Sequence, residues 1–143
     1  MGTIFSTNDI RGHAGETLTT EYVWNVGKGL AEWLPDDGTI VVVRSATADD
    51  MTVHALIEGA LLQGRDVIET GQGDMQTVVR AVSDNQAAGG VLVAHDDLDN
   101  LEIITLFDSR GVVITDQTGL SEISQLVEAG NFIPANSKGL LKQ

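Results

Sequence analysis

Short apolar runs that alternate with segments of helical period confine this chain to a sheet of mainly parallel strands. Residues 39–44 read Thr-Ile-Val-Val-Val-Arg, a β-branched run with no polar break until its end. Such a run suits a strand covered on both faces. Residues 65–70 (Arg-Asp-Val-Ile-Glu-Thr) and 89–94 (Gly-Gly-Val-Leu-Val-Ala) supply two more short strands. Between the first two, Asp49 or Asp50 can cap a helix whose inner face is Val53, Leu56, Ile57, Ala60 and Leu61, with Gly64 at its end. Between the second and third, Asp74 can cap a helix with Met75, Val78, Val79 and Val82 inward. Strands joined by crossover helices run parallel and need helices on both faces.

The flanks complete the pattern. Residues 1–18 read as an irregular lead-in. Thr19 or Thr20 caps a helix reaching about Leu34, with Val23, Val26, Leu30 and Leu34 on one face. Pro35-Asp36-Asp37-Gly38 stops it. After the third strand comes an acidic loop at 95–100, then a strand at 101–107 and a turn at 108–111, with 112–115 as a possible hairpin partner. A last helix at 119–129 turns Leu120, Ile123, Leu126 and Val127 inward and ends at Gly130. The expected fold is a three-layer α/β/α sandwich with a mixed, mostly parallel sheet of four or five strands. It occupies residues 1–130, followed by a tail at 131–143 without clear period. A chain of 143 residues fits one such domain.

Charge narrows the function classes. Eight Lys and Arg stand against 21 Asp and Glu, a net charge of −13. Nucleic acid and anionic membranes are disfavoured, because both need basic side chains to neutralise phosphate. There is no Cys, and the three His (His13, His54, His95) are far apart, which argues against a His-rich metal site. No segment approaches the roughly 18 apolar residues of a membrane span. No basic stretch followed by an apolar run marks a secretory signal, so a cytoplasmic location is expected.

Few residues carry chemistry. The loop His95-Asp96-Asp97-Leu98-Asp99-Asn100 follows the carboxyl end of a parallel strand, where ligands of α/β folds bind. Asp96, Asp97 and Asp99 offer oxygen ligands to Mg²⁺, or form a solvated acidic turn; the Gly and spaced Glu of an EF-hand loop are absent. His95 beside carboxylates has the composition of a general base. Gly71-Gln72-Gly73 and Gly89-Gly90 lack the remaining residues of phosphate loops and read as turns and close packing. Trp24 and Trp33, nine residues apart, point to opposite sides of the first helix, so one should be less buried than the other.

One set of motifs resembles a known family. Ile4-Phe5-Ser6-Thr7-Asn8-Asp9-Ile10-Arg11-Gly12, followed by Gly15-Glu16-Thr17-Leu18-Thr19, resembles the N-terminal signature of the α-D-phosphohexomutases, the phosphoglucomutase and phosphomannomutase enzymes. Val26-Gly27-Lys28-Gly29-Leu30 is similar to their first helix. Gly59 to Val67 is similar to the end of the second helix and the strand after it. Gly89-Gly90-Val91-Leu92-Val93 is similar to the strand leading to their phosphoserine loop. The resemblance covers about residues 3–130 and implies the N-terminal α/β/α domain of these enzymes. It also implies that Arg11 lies near a phosphate, which a planar guanidinium can bind through two hydrogen bonds. The residues themselves favour a local role in the N-terminal loop, such as an Asp9–Arg11 ion pair.

The departures bear on activity. The family carries Thr-x-Ser-His-Asn-Pro at the phosphoserine, whereas this chain reads Val93-Ala94-His95-Asp96-Asp97-Leu98. Ala94 or Asp96 falls at the serine, depending on the alignment. The family's Gly-Arg-Asp-x-Arg becomes Val43-Arg44-Ser45-Ala46-Thr47, and its Pro-Thr-Pro becomes Gly73-Asp74-Met75. Its Asn-Gly-x-Lys has no counterpart, since residues 103–106 read Ile-Ile-Thr-Leu. Three further domains of the family supply the magnesium aspartates, sugar loop and phosphate site. The resemblance therefore implies a catalytically inactive single-domain relative acting as a binding or assembly module. A homodimer or a protein partner is expected, with Phe107, Phe132, Ile133, Leu140 and Leu141 as contact candidates. The alternatives are a sugar-phosphate- or Mg-binding protein, and one component of a split phosphohexomutase.

Overall fold

The computed structural model describes residues 5–35 and 37–143. Ile4 of the N-terminal motif and Asp36 of the turn lie outside the described residues. The elements follow as β1 (Ile10–Gly12), α1 (Thr20–Trp33), β2 (Ile40–Arg44), α2 (Asp50–Leu62), β3 (Val67–Gln72), α3 (Met75–Asn85), β4 (Gly89–Asp96), β5 (Leu101–Phe107), α4 (Leu120–Ala129) and β6 (Leu141–Lys142). The six strands form one sheet in the order β1-β5-β4-β2-β3-β6. β2 runs parallel to β3 and β4, and β3 parallel to β6. β5 is antiparallel to both β4 and β1.

The α/β/α sandwich and mixed sheet are those expected, with six strands in place of four or five. The added edges are β1, from the lead-in, and β6, from the tail. With three and two residues they are too short to show a period. The expected hairpin at 112–115 reduces to one bridge between Phe107 and Val113. Beyond it the backbone turns into α4 through the bonds that Thr118 and Leu120 make to Thr115.

The unbroken run of β2 has the cause proposed for it. Ile40 and Val42 enter a core shared with α1, α2 and α4. Val41 and Val43 face Val78, Ala81 and Val82 of α3 on the other side. Met75 and Val79, expected inward, are instead 45% and 43% exposed. One residue of helix is about 100° of rotation, so Val79 is carried off the stripe centred on Val78. Phe107 is also corrected: it is 1% exposed and fills the core beside Val41 and Leu92, which leaves it almost no surface to offer a partner.

Two close fits set the positions of the helices. α1 lies so near α2 that a Cβ at Gly27 would strike the Leu56 carbonyl oxygen, and one at Gly59 that of Trp24. The buried Arg65 guanidinium donates to the carbonyls of Ala31 (3.0 Å) and Leu34 (2.9 Å), at the end of α1 where backbone acceptors lack helical partners, and to that of Gly38 (3.2 Å) in the loop before β2. Trp24 and Trp33 are both half-buried: Trp24 lies under Lys28, whose Nζ is 4.0 Å from the ring, and Trp33 donates to Glu122 of α4 (3.3 Å). The tail is a strap. Ala135 and Gly139 donate to Leu62 and Leu61 at the end of α2, and Lys138 pairs with Glu58 at 2.8 Å.

Candidate active-site cleft

The strand order places a crevice before any side chain is considered. From β2 the chain crosses to β3 on one side, then returns to β4 on the other. α2 and α3 consequently cover opposite faces of the sheet. The loop into α2 and the β4–β5 hairpin leave the sheet at the carboxyl ends of β2 and β4, the edge where ligands of such sheets bind. A cleft of about 330 Å³ lies there, lined among others by His13, Glu16, Thr47, Asp49, His95 and Glu102.

Strand alternation decides which predicted residues enter it. Gly12, Glu102 and His95 form one cross-strand row, and Arg11, Ile103 and Ala94 the next. Neighbouring rows point to opposite faces. The row of His95 shares its face with Val93 and Ile104, on the α1/α2 side. The row of Arg11 shares its face with Leu92 and Phe107, on the α3 side. Arg11 and His95 therefore belong to different surfaces.

Glu102 is the centre of the cleft and was read only as part of a strand. It is 2% exposed. Its Oε1 accepts the N–H of Asp49 at 2.8 Å, and its Oε2 contacts Nδ1 of His95. Asp49 caps α2 through Thr52, accepting from its N–H and Oγ1, both at 2.9 Å. The signal in the sequence was a charge at the inward phase of Ile104 and Leu106. Hydrogen bonding to Glu102 raises the His95 pKa; desolvation opposes this, and the charges of Glu102, Asp97 and Asp96 add to it. His13, which carried no motif, enters the same cleft with Nδ1 2.9 Å from the Asn100 carbonyl. His54 is exposed on α2.

The nearby cations are engaged. Arg11 donates to Asp9 through Nε (2.9 Å) and Nη2 (2.8 Å), the local pair that the sequence allowed. Burial works to raise the Asp9 carboxyl, yet hydrogen bonds from Arg11 and Ser6 bring it below its ordinary value. Arg44 pairs with Asp50 and donates to the Ala48 carbonyl at 2.8 Å. Among the described residues no Lys or Arg lines the cleft.

The carboxylates of the acidic turn do not converge on one point. Asp96 Oδ1 accepts the N–H groups of Leu98 (3.0 Å) and Asp99 (3.4 Å). Asp97 lies 3.7 Å from Nε2 of His95. Among the described residues no three or more His, Asp or Glu are placed to hold a metal ion. Nor is any described helix long and apolar enough to cross a membrane.

Fold and cleft together define an α/β/α domain with a polar site at the carboxyl ends of its central strands. Residues 2–133 match the family model described as phosphoglucomutase/phosphomannomutase, alpha/beta/alpha domain I, and the chain belongs to that family. It is 30% identical over 146 residues to the "Probable phosphoglucosamine mutase" of Thermococcus gammatolerans, covering 100% of this chain and 32% of that protein. It is 28% identical over 136 residues to the phosphomannomutase of Salmonella typhimurium, covering 94% of this chain and 30% of that one. A phosphoglucomutase/phosphomannomutase family protein from Burkholderia thailandensis superposes with a TM-score of 0.76 at 20% identity, over 98% of this chain and 32% of that one. The chain thus spans about a third of the length of the relatives it matches.

Proposed function

We propose that this domain does not carry the transferable phosphate of the phosphohexomutase reaction and acts as a binding or assembly module. One observation supports this above others. The end of β4, where the family resemblance puts a phosphoserine, holds Ala94, His95 and Asp96. Ala94 has no nucleophile, His95 is held by Glu102, and Asp96 closes its own turn. Phosphoryl transfer also needs positive charge around the phosphate. Here carboxylates line the cleft and both nearby arginines are paired.

An assembly role has surfaces to use. Ile133 is 83% exposed, Leu140 64% and Leu141 47%, all on the strap. Light scattering that gives about twice 15.2 kDa would support a homodimer, and a monomer would direct the search to a different protein partner.

A thermal-shift titration with glucose 1-phosphate, mannose 1-phosphate and glucose 1,6-bisphosphate, each with and without Mg²⁺, tests the reading. A ligand at 100 times its Kd stabilises by about 2.7 kcal/mol, several degrees of Tm for a domain of this size. No saturable shift is expected. A shift that disappears in Arg11→Ala would overturn the reading in favour of a sugar-phosphate site. Family membership favours a second reading, a component of a phosphohexomutase; mutase activity that appears on adding a partner chain would establish it.

A further inference from the structure

We propose that His95 and Glu102 form a proton-controlled latch, which fastens the loop entering α2 to the β4–β5 hairpin while His95 is protonated and loosens it when the proton leaves. The latch would regulate access to the cleft and does not depend on which ligand enters.

The argument starts from one buried carboxylate that joins three parts of the chain. Glu102 belongs to β5, its Oε2 holds the ring of His95 on β4, and its Oε1 holds the backbone of Asp49. The same loop is tied to β4 at its other end, where Ser45 donates its N–H to the Val93 carbonyl (2.9 Å) and its Oγ accepts the His95 N–H (3.3 Å). The mouth of the cleft lies between this loop, the β4–β5 turn and the N-terminal loop that carries His13.

The charges around the pair set the direction. Asp96 and Asp97 come from the end of β4 and its turn, Glu102 from β5, and Asp49 from the loop before α2. Glu16 and His13 come from the N-terminal loop. Asp50 stands behind Asp49 and is paired with Arg44. His95 thus faces the carboxylates of Glu102, Asp97 and Asp96, and its pKa is raised accordingly. Once the ring is neutral, Glu102 loses the positive charge that its Oε2 faces. It then keeps one imidazole N–H and one backbone N–H, and opening becomes easier.

Amide hydrogen exchange measured by NMR on the whole chain tests the latch. The reporter is the Asp49 N–H, and rates are converted to an opening constant so that intrinsic base catalysis is divided out. The opening constant should rise with pH through the titration of the His95 ring, followed in the same sample, and then level off. By linkage, its total fold-change equals the ratio of the His95 proton dissociation constants in the open and closed forms. His95→Gln, which keeps an N–H donor but cannot titrate, should give a flat profile. In Glu102→Gln the His95 ring should return towards the ordinary histidine range. A wild-type opening constant that stays flat across the His95 titration overturns the proposal. So does a matching rise in His95→Gln, or an unchanged ring titration in Glu102→Gln. If either variant fails to fold, the wild type decides alone, since both readouts come from one molecule.

Discussion

Replacing Gly27 or Gly59 with alanine sets local preference against tertiary packing, and the two predict opposite signs. In a helix interior, alanine is favoured over glycine by about 0.8–1.0 kcal/mol. Taken alone, each substitution should stabilise the protein. The structure opposes this, because the new methyl would meet a backbone carbonyl: that of Leu56 for Gly27, and that of Trp24 for Gly59. A carbonyl inside a helix cannot rotate away as a side chain can, so α1 and α2 would have to separate. Overpacking of this kind costs about 1–3 kcal/mol. The net expectation is a destabilisation of up to about 2 kcal/mol for each variant, seen as a lower urea midpoint at unchanged m-value. Gly29, on the same helix, is the control. A methyl there would meet the γ-methyl of Val127 at 3.1 Å and that of Ile123 at 3.5 Å, side chains that can shift. Gly29→Ala should therefore be neutral or stabilising by up to about 1 kcal/mol. Gly27→Ala and Gly59→Ala as stable as Gly29→Ala would refute the close crossing of α1 and α2.

Other outcomes follow from single side chains. Arg65→Met leaves the carbonyls of Ala31, Leu34 and Gly38 without the guanidinium and should cost about 3 kcal/mol, read from thermal or urea unfolding. Arg11→Ala removes an ion pair whose arginine side chain is 43% exposed, so the urea midpoint should shift by less than about 1 kcal/mol equivalent. The His95 pKa is raised on folding, so its contribution to stability is complete below the unfolded titration and fades as pH rises through the folded one. Unfolding free energies measured across that window should fall in the wild type relative to His95→Gln. The Asp9 pKa is lowered, so its contribution holds above the unfolded carboxylate titration and fades as acid takes the pH down through the folded one. Acid titrations of wild type and Asp9→Asn should converge there.

The sequence by itself determined the elements whose physics is local. The run at 39–44, the caps at Thr19, Asp49 and Asp74, and the stripes Val23/Val26/Leu30 and Val53/Leu56/Ala60 stand in the structure where the pattern put them. Each depends on neighbours within one turn of helix or one pleat, so a linear reading recovers it. The Asp9–Arg11 pair was legible for the same reason, since its partners are two residues apart. Tertiary structure alone decided the rest. β1 and β6 exist only because β5 and β3 present unpaired backbone to them, and nothing within two or three residues encodes a distant partner. Strand phase sent Arg11 and His95 to opposite faces. The cleft could not be read in advance, because Glu102, His95 and Asp49 lie on three elements and meet only when β4, β5 and the start of α2 pack together. A buried carboxylate is costly in any chain, and its partners are chosen by the fold that buries it.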